Sequence, residues 1–397
     1  MHSPFKHYIF YLSSLFLYVA SIAQDLDNSI AEAIQPFLKD QVVAGAVTLV
    51  GRDGGITHLE AHGMADKNLE RSMQEEDLFW IASMTKPIIG TAILILQDQG
   101  KLHVDDLVKK HLAEFDDLWL LEKQDKDCRT LKRPARDITL KDLLTHTAGV
   151  PNISEPRAHS TLGEVVAQVS QQPLQFEPGS KWSYSNSGIN TLGRVVEVVS
   201  GMPLPQFLNE TIFLPLGMRQ TTFFPTKKQV KRLARSYQKN KTTGELQPTD
   251  LYFVRGSLWD RKRTVRPSGG LFSTAEDLYA LYQLMLNKGI YRGKRILSEN
   301  AVTQLTTTQT GDIKTGFTEG MSWGLGFQVV KYPQGVTEVL HPGTFGHGGA
   351  YATHSWADPV NQTIYILLVQ RRGMPGGDGA EIRRAFQQAV VDSLNVR

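Results

Sequence analysis

Apolar residues come in short bursts near both ends of the chain and in longer periodic runs between them. Val42 to Leu49 and Ile56 to Ala61 alternate or run apolar over strand lengths, as do Leu325 to Val330 and Thr363 to Val369. The middle instead repeats at helical spacing, over Lys86 to Gln99, Leu140 to Leu144, Leu162 to Val169, Ile189 to Val199 and Ala275 to Leu286. A closing helix follows the last strand. This pattern predicts an α/β (α+β) fold: an antiparallel sheet built from both chain ends, flanked by helices, with an all-helical lobe inserted. A small-molecule site is expected in the cleft between sheet and lobe. The polar stretches Glu114 to Arg136 and Lys239 to Val265 are expected as loops over it.

The N-terminus changes the picture of where this fold works. Lys6 and His7 precede an apolar stretch, Tyr8 to Ala20, and Ser21-Ile22-Ala23 offers small residues to a signal peptidase. The reading is a signal peptide over 1–23, cleaved after Ala23, and a mature domain over 24–397, secreted or periplasmic. The stretch is short for a span of about 20 residues, and no cysteine follows it for lipid attachment, so no stable membrane anchor is expected after cleavage. Cys128 is the sole cysteine, which excludes an internal disulfide and a multi-thiol zinc site. A net charge of +3 with dispersed basic residues gives no sign of nucleic-acid binding. An apolar fraction of 41% is ample for a large core. His341, His347 and His354 are close in sequence but match no metal spacing, so neither metal nor cofactor is expected. Oligomeric state leaves no mark.

Candidate chemistry begins at Ser83-Met84-Thr85-Lys86, where a short apolar run (Leu78 to Ile81) meets the long one from Ile88. Residues three apart share a helix face, so Lys86 can stand beside the Ser83 hydroxyl. A desolvated lysine loses its proton readily, and a weak nucleophile beside such a base is equipped for acyl transfer. Tyr184-Ser185-Asn186 lies in a turn-rich loop ahead of a helical pattern. A phenol next to a lysine ammonium is favoured as phenolate, so Tyr184 is expected to share the proton work. His347-Gly348-Gly349-Ala350 leads into a strand-like run, and its small residues permit close backbone approach to a ligand.

Several motifs compete. Ser236-Tyr237-Gln238-Lys239 and Ser3-Pro4-Phe5-Lys6 also spell S-x-x-K; the first reads as a solvated basic segment, the second as terminal. Gly320-Met321-Ser322-Trp323-Gly324 spells the nucleophile elbow of another hydrolase fold. That elbow needs a helix after the serine, and here a strand pattern follows. Lys314-Thr315-Gly316 sits in a glycine-punctuated polar loop.

Taken together these segments resemble the serine β-lactamase and penicillin-binding-protein superfamily, most closely its class C β-lactamase and family VIII esterase branch. The resemblance is carried by Phe79 to Pro87, Gln97 to Leu102, Ile138 to Gly149, Phe176-Glu177-Pro178-Gly179 and Ser268 to Thr274, in that order, and runs from about residue 28 to the C-terminus. It implies that Ser83 is the acyl-accepting nucleophile and that Lys86 and Tyr184 share the general base and acid work, with the primary base left open between them. It implies too that Asn186 binds substrate or positions Lys86. His347, Gly348 and Gly349 match the family's K-T-G strand, with the Ala350 N–H completing an oxyanion hole. His347 replaces the usual lysine. Histidine has a reference pKa of about 6.5, so a charged partner for substrate carboxylates is lost and neutral esters gain. The implied activity is that of a carboxylesterase on small esters. A β-lactamase or D-Ala-D-Ala carboxypeptidase acting on a lactam or amide is the alternative. A catalytically silent binding protein of the same fold is the reading from another class.

Overall fold

The computed structural model describes residues 24–154, 159–252, 254 and 256–395. The signal segment 1–23 lies outside the described residues.

Eight strands form one antiparallel sheet: β1 (Gly45–Arg52), β2 (Gly55–Asp66), β3 (Arg71–Ser72), β4 (Met321–Trp323), β5 (Gln328–Val330), β6 (Phe345–Gly349), β7 (Thr353–Asp358) and β8 (Thr363–Val369). Their spatial order is β4-β5-β6-β7-β8-β1-β2-β3. The two ends of the chain therefore meet at β1 and β8, in register from Ala46 opposite Val369 to Arg52 opposite Thr363. Both strands are nearly continuous in apolar residues because both faces of the sheet are covered. From β1, Val47 and Leu49 enter the large core shared with the lobe, while Ala46 and Val50 enter a smaller core beneath the terminal helices.

Those helices are α1 (24–39) and α7 (Glu381–Asn395). Helix α1 went unread in the sequence, although Leu26, Ile30 and Ile34 recur every four residues and are all buried. The inserted lobe is helical at its centre: α2 (Thr85–Asp98), α3 (Leu140–Leu144), α4 (Leu162–Ser170) and α5 (Asn186–Ser200), with α6 (Ala275–Leu286) packed against β8 and β1. Every residue of α2 from Thr85 to Leu96 is buried, so this helix runs through the core and joins the two lobes. The lobe also carries short two-stranded ribbons, such as Leu120–Gln124 with Arg129–Lys132 and Tyr237–Lys239 with Leu246–Pro248. The first lies within the Glu114 to Arg136 stretch expected as a loop, so that stretch is partly a hairpin, and the second overlaps the start of Lys239 to Val265. The second ribbon corrects the solvated reading of Ser236. That serine is buried, its hydroxyl donating to Gln370 Oε1 at 3.0 Å, because the neighbouring backbone pairs with Gln370 and Arg372 at the end of β8.

Candidate active site

The strand Phe79–Trp80 pairs with Phe272–Ser273 and runs into a tight turn, Ala82–Met84, from which α2 starts. Ala82 takes φ 45°, a left-handed conformation that a residue with a Cβ adopts only under constraint. The turn leaves Ser83 half-buried between buried neighbours. One turn on, Lys86 has no exposed surface. Its Nζ lies 3.1 Å from Ser83 Oγ, 2.8 Å from Asn186 Oδ1 and 2.6 Å from the Ser268 carbonyl oxygen. None of these partners is an anion. Burial therefore holds the Lys86 ammonium well below the ordinary lysine range.

The Ser268 carbonyl is placed by backbone pairing. Ile81 N–H donates to the Leu271 carbonyl, Trp80 Nε1–H to the Gly269 carbonyl, and Asn190 Oδ1 accepts from Ser268 N–H. Sequence reading had flagged Ser268 to Thr274 but not this role, since a main-chain carbonyl leaves no residue-type signal.

Tyr184 stands just ahead of α5, whose N-cap Ser185 accepts from Gly188 N–H at 3.0 Å. Asn152 clamps the loop, its Nδ2 donating to the Tyr184 carbonyl at 3.0 Å and its Oδ1 accepting from Asn186 N–H at 2.7 Å. His146, in a left-handed conformation just after α3, accepts Ser185 N–H on Nδ1 at 3.2 Å. Its ring lies 4.5 Å from that of Tyr184 and 5.0 Å from that of Trp323. His146 thereby buttresses the turn that carries Tyr184 into α5. Burial, followed by the nearby Lys86 and His347, keeps this imidazole uncharged.

The Tyr184 hydroxyl hydrogen-bonds with Ser83, and Lys86 Nζ sits 4.6 Å from the centre of the Tyr184 ring. The expected phenolate does not form in this resting arrangement. Burial pushes the phenol above its ordinary value, against a smaller pull from the Ser83 hydrogen bond. A phenolate needs a neighbouring ammonium, and the burial that discharges Lys86 removes it.

Opposite this wall runs β6. The His347 ring lies 6.2 Å from that of Tyr184 and 5.6 Å from that of Trp323. Nδ1 is 2.6 Å from the Gly348 carbonyl oxygen, which assigns the proton to Nδ1. Burial, then the proximity of Lys86, pushes His347 down to about 3, so the ring is neutral at physiological pH. Gly349 is required by close approach, since a Cβ there would stand 2.1 Å from Thr353 Oγ1 and 2.6 Å from the carbonyl oxygen of Ile81, between the Phe79–Trp80 strand and Ser83. A Cβ on Gly348 would meet Asp378 Oδ1 at 2.0 Å on the opposite face. Ala350 is exposed in the turn that follows the strand.

Ser83, Lys86, Tyr184, Asn186 and His347 thus converge, with Gly348, Gly349 and Ala350 on the facing strand and its turn. The competitors lie elsewhere. Lys314 is exposed in an irregular loop, and Ser322 is buried in β4, 3.1 Å from Thr310 Oγ1, with a strand after it. His341 pairs with Asp358 at 2.7 Å, away from His347. An open groove of about 1250 Å³ lies beside the site, lined by Leu121, Gln124, Arg129, Asn152 and Ile153 among others. It shares Asn152 with the Tyr184 loop and takes another part of its wall from the Glu114 to Arg136 stretch.

A sheet closed by both chain ends, with a cleft against a helical lobe, defines a hydrolase of the β-lactamase fold. The chain belongs to the Beta-lactamase family, whose description matches residues 30–390. It is 28% identical over 395 residues to Esterase EstB of Burkholderia gladioli, covering 91% of this chain and 93% of that one. Among solved structures it resembles EstCE1, a hydrolase with promiscuous acyltransferase activity. That match has a TM-score of 0.78 and 26% identity, over 93% of this chain and 99% of the other. A class C β-lactamase from Rhodobacter sphaeroides shares the fold, with a TM-score of 0.69 and 19% identity over 93% of this chain and 99% of that one. Among the described residues no helix is long and apolar enough to cross a membrane.

Proposed function

We propose that this protein is a secreted serine hydrolase that forms an acyl-enzyme on Ser83, acting as a carboxylesterase on small esters. The observation that carries the reading is the fully buried Lys86 amine, ringed by acceptors and by no anion. As a free amine it has two N–H groups, which the Asn186 and Ser268 oxygens take. Its lone pair is then left for the Ser83 hydroxyl. Ser83 Oγ attacks the ester carbonyl carbon as its proton passes to Lys86 Nζ. The Ser83 and Ala350 N–H groups hold the oxyanion, each donor worth roughly 10²–10³ in rate. Tyr184, protonated and bonded to Ser83, hands its proton to the departing alcohol and is refilled from Lys86. Water then enters and the same groups run in reverse, releasing the acid and restoring Ser83.

Neutral His347 supports an ester over a carboxylate-bearing lactam or peptide, because it offers no cation where such substrates carry their acid. The kinship with an esterase over nearly the whole of both chains supports the same choice. Secretion rests on the N-terminal reading alone; export from cells and a mature N-terminus at Gln24 on sequencing would support it.

Ser83→Ala is expected to lower turnover of a short-chain p-nitrophenyl ester by about 10⁴-fold or more, with unchanged circular dichroism. A fluorophosphonate should add mass to Ser83 in the wild type alone. Retained turnover would refute the assignment, and absence of any covalent adduct would favour a silent binding protein. Nitrocefin or a D-Ala-D-Ala peptide turned over faster than the ester would move the substrate to lactams or peptides while leaving the nucleophile in place.

A further inference from the structure

Strand β2 carries His58-Leu59-Glu60-Ala61-His62. Residues two apart in a strand share a face, so His58, Glu60 and His62 project together. The register sets them opposite Val50, Thr48 and Ala46 respectively. Ala46 and Val50 belong to the core beneath the terminal helices, so the trio lies on the sheet face that α1 covers. From α1, Asp27 Oδ1 comes within 2.5 Å of His58 Nδ1.

The two imidazoles converge on one point. His58 Nε2 lies 2.8 Å and His62 Nε2 2.9 Å from the same Thr48 Oγ1. One ligating atom from each of His58, Glu60 and His62 falls within 4.8 Å of the others. Around four-coordinate zinc, with bonds of about 2.0–2.2 Å, ligand atoms stand roughly 3.3–3.5 Å apart. Rotamer adjustments of about an ångström or so therefore close the set. The Asp27–His58 contact is also the device that orients metal-bound histidines: a carboxylate accepts a hydrogen bond from Nδ1–H, fixes the tautomer and leaves the Nε2 lone pair for the metal. Entry is open, because the Glu60 side chain is 37% exposed and borders a solvent groove whose wall includes Glu75 and Glu76.

We propose that His58, Glu60 and His62 bind a divalent transition-metal ion of the zinc class, with Asp27 orienting His58 and water completing four-coordination. Imidazole and carboxylate donors at this number suit zinc rather than calcium or magnesium, which demand more oxygen ligands. The ion ties α1 to β2 and so fastens the N-terminal helix to the sheet. The site is remote from Ser83 in the sheet order, since β2 lies next to one edge and β6 two strands in from the other. It does not depend on the catalytic reading, and its occupancy stabilises the fold without supplying chemistry to it.

The test is zinc titration of the mature, chelator-treated protein by calorimetry, with thermal unfolding and ester turnover measured alongside. One ion per chain should bind, and the melting temperature should rise with zinc, as for any ligand specific to the folded state. Asp27→Asn should weaken binding by about 10–100-fold, as loss of such supporting carboxylates does. Glu60→Gln and His62→Ala should weaken it further while leaving metal-free turnover unchanged. His341→Ala, at a histidine outside the cluster, should bind as the wild type does. Cobalt should give the visible absorption of a four-coordinate ion in the wild type and lose it in His62→Ala. No saturable binding, or binding untouched by His62→Ala and Glu60→Gln in variants that still hydrolyse ester, would overturn the proposal.

Discussion

Lys86 and Arg383 are both withdrawn from water, and the fold treats them in opposite ways. Lys86 meets only neutral oxygens, so burial strips its charge. Arg383, on α7, donates to the Asp378 carbonyl at 2.9 Å, approaches the Asp378 carboxylate at 3.5 Å and stacks 4.1 Å from the Trp356 ring. Its burial lowers it only to about 10, and it stays a cation. The two sites lie on opposite sides of β6: His347 faces Lys86 and Tyr184, while Gly348 opens the other face to Asp378. A buried base with no counter-ion is set up for proton transfer; one with a carboxylate and an aromatic plate is set up to hold a strand. The type of residue agrees, since a buried lysine readily gives up its proton whereas arginine keeps its charge.

The sharpest break in that contrast is to remove each charge without removing volume. Lys86→Met should lower kcat for a p-nitrophenyl ester by about 10²–10⁴-fold, the range for loss of a positioned base. Stability should hold or rise, because no buried amine remains to be desolvated. The pH dependence follows with its sign. The folded state favours neutral Lys86, so below the ordinary value near 10.5 the unfolded chain binds a proton that the folded one does not. Wild-type stability therefore climbs with pH from the depressed folded value up to that point, and Lys86→Met should flatten this part of the curve. Activity should fall on the acid side as Lys86 takes up a proton. Urea titrations and kcat/KM profiles across pH check both; parallel curves for wild type and variant would erase the contrast.

Arg383→Met should do the reverse. Removing one partner of a buried pair leaves the other uncompensated, a loss of about 3–5 kcal/mol. Asp378 is already pushed up by burial, with Arg383 pulling it down, so the variant should carry a protonated Asp378 and melt earlier. Ester turnover measured below the melting transition should change little beside the Lys86 loss. Asp378→Asn in the same background should recover part of the stability. If the single variant kept full stability but lost activity, Arg383 would belong with the chemistry.

How far the sequence revealed this depends on what each residue type announces. Thr363 to Val369, Leu140 to Leu144 and Ala275 to Leu286 were read with their observed bounds, because apolar periodicity there coincides with turn residues or caps. The convergence of Ser83, Lys86 and Tyr184 was legible because spacing and family order both marked them. The Ser268 carbonyl was not, being backbone, and neither was the Asn152 clamp, which depends on tertiary placement. The phenolate expectation failed because it weighed charge proximity without burial. The strand reading stopped at Ala61, one residue short of His62, and so hid the converging histidines. Helix α1 was missed because its apolar stripe is narrow and lies next to a segment read for export.

The smallest effect sharpens the comparison at β6 itself. His347→Lys places an ammonium where a neutral ring now faces Lys86. Two buried amines in one wall repel, so the new group should hold a proton only when a substrate carboxylate pairs with it. A charged hydrogen bond of that kind is worth about 1.5–3 kcal/mol, and desolvating the ammonium offsets part of it. The ratio of kcat/KM for a carboxylate-bearing lactam to that for a neutral ester should therefore rise by about tenfold. Most of the change should appear in KM for the lactam, because the contact is made in the ground state as well as in the transition state. Paired kinetics on nitrocefin and a p-nitrophenyl ester measure it. An unchanged ratio in a folded, acylating variant would mean that position 347 does not face the substrate's acid, and the neutral ring would then owe its place to packing against Trp323 and Tyr184.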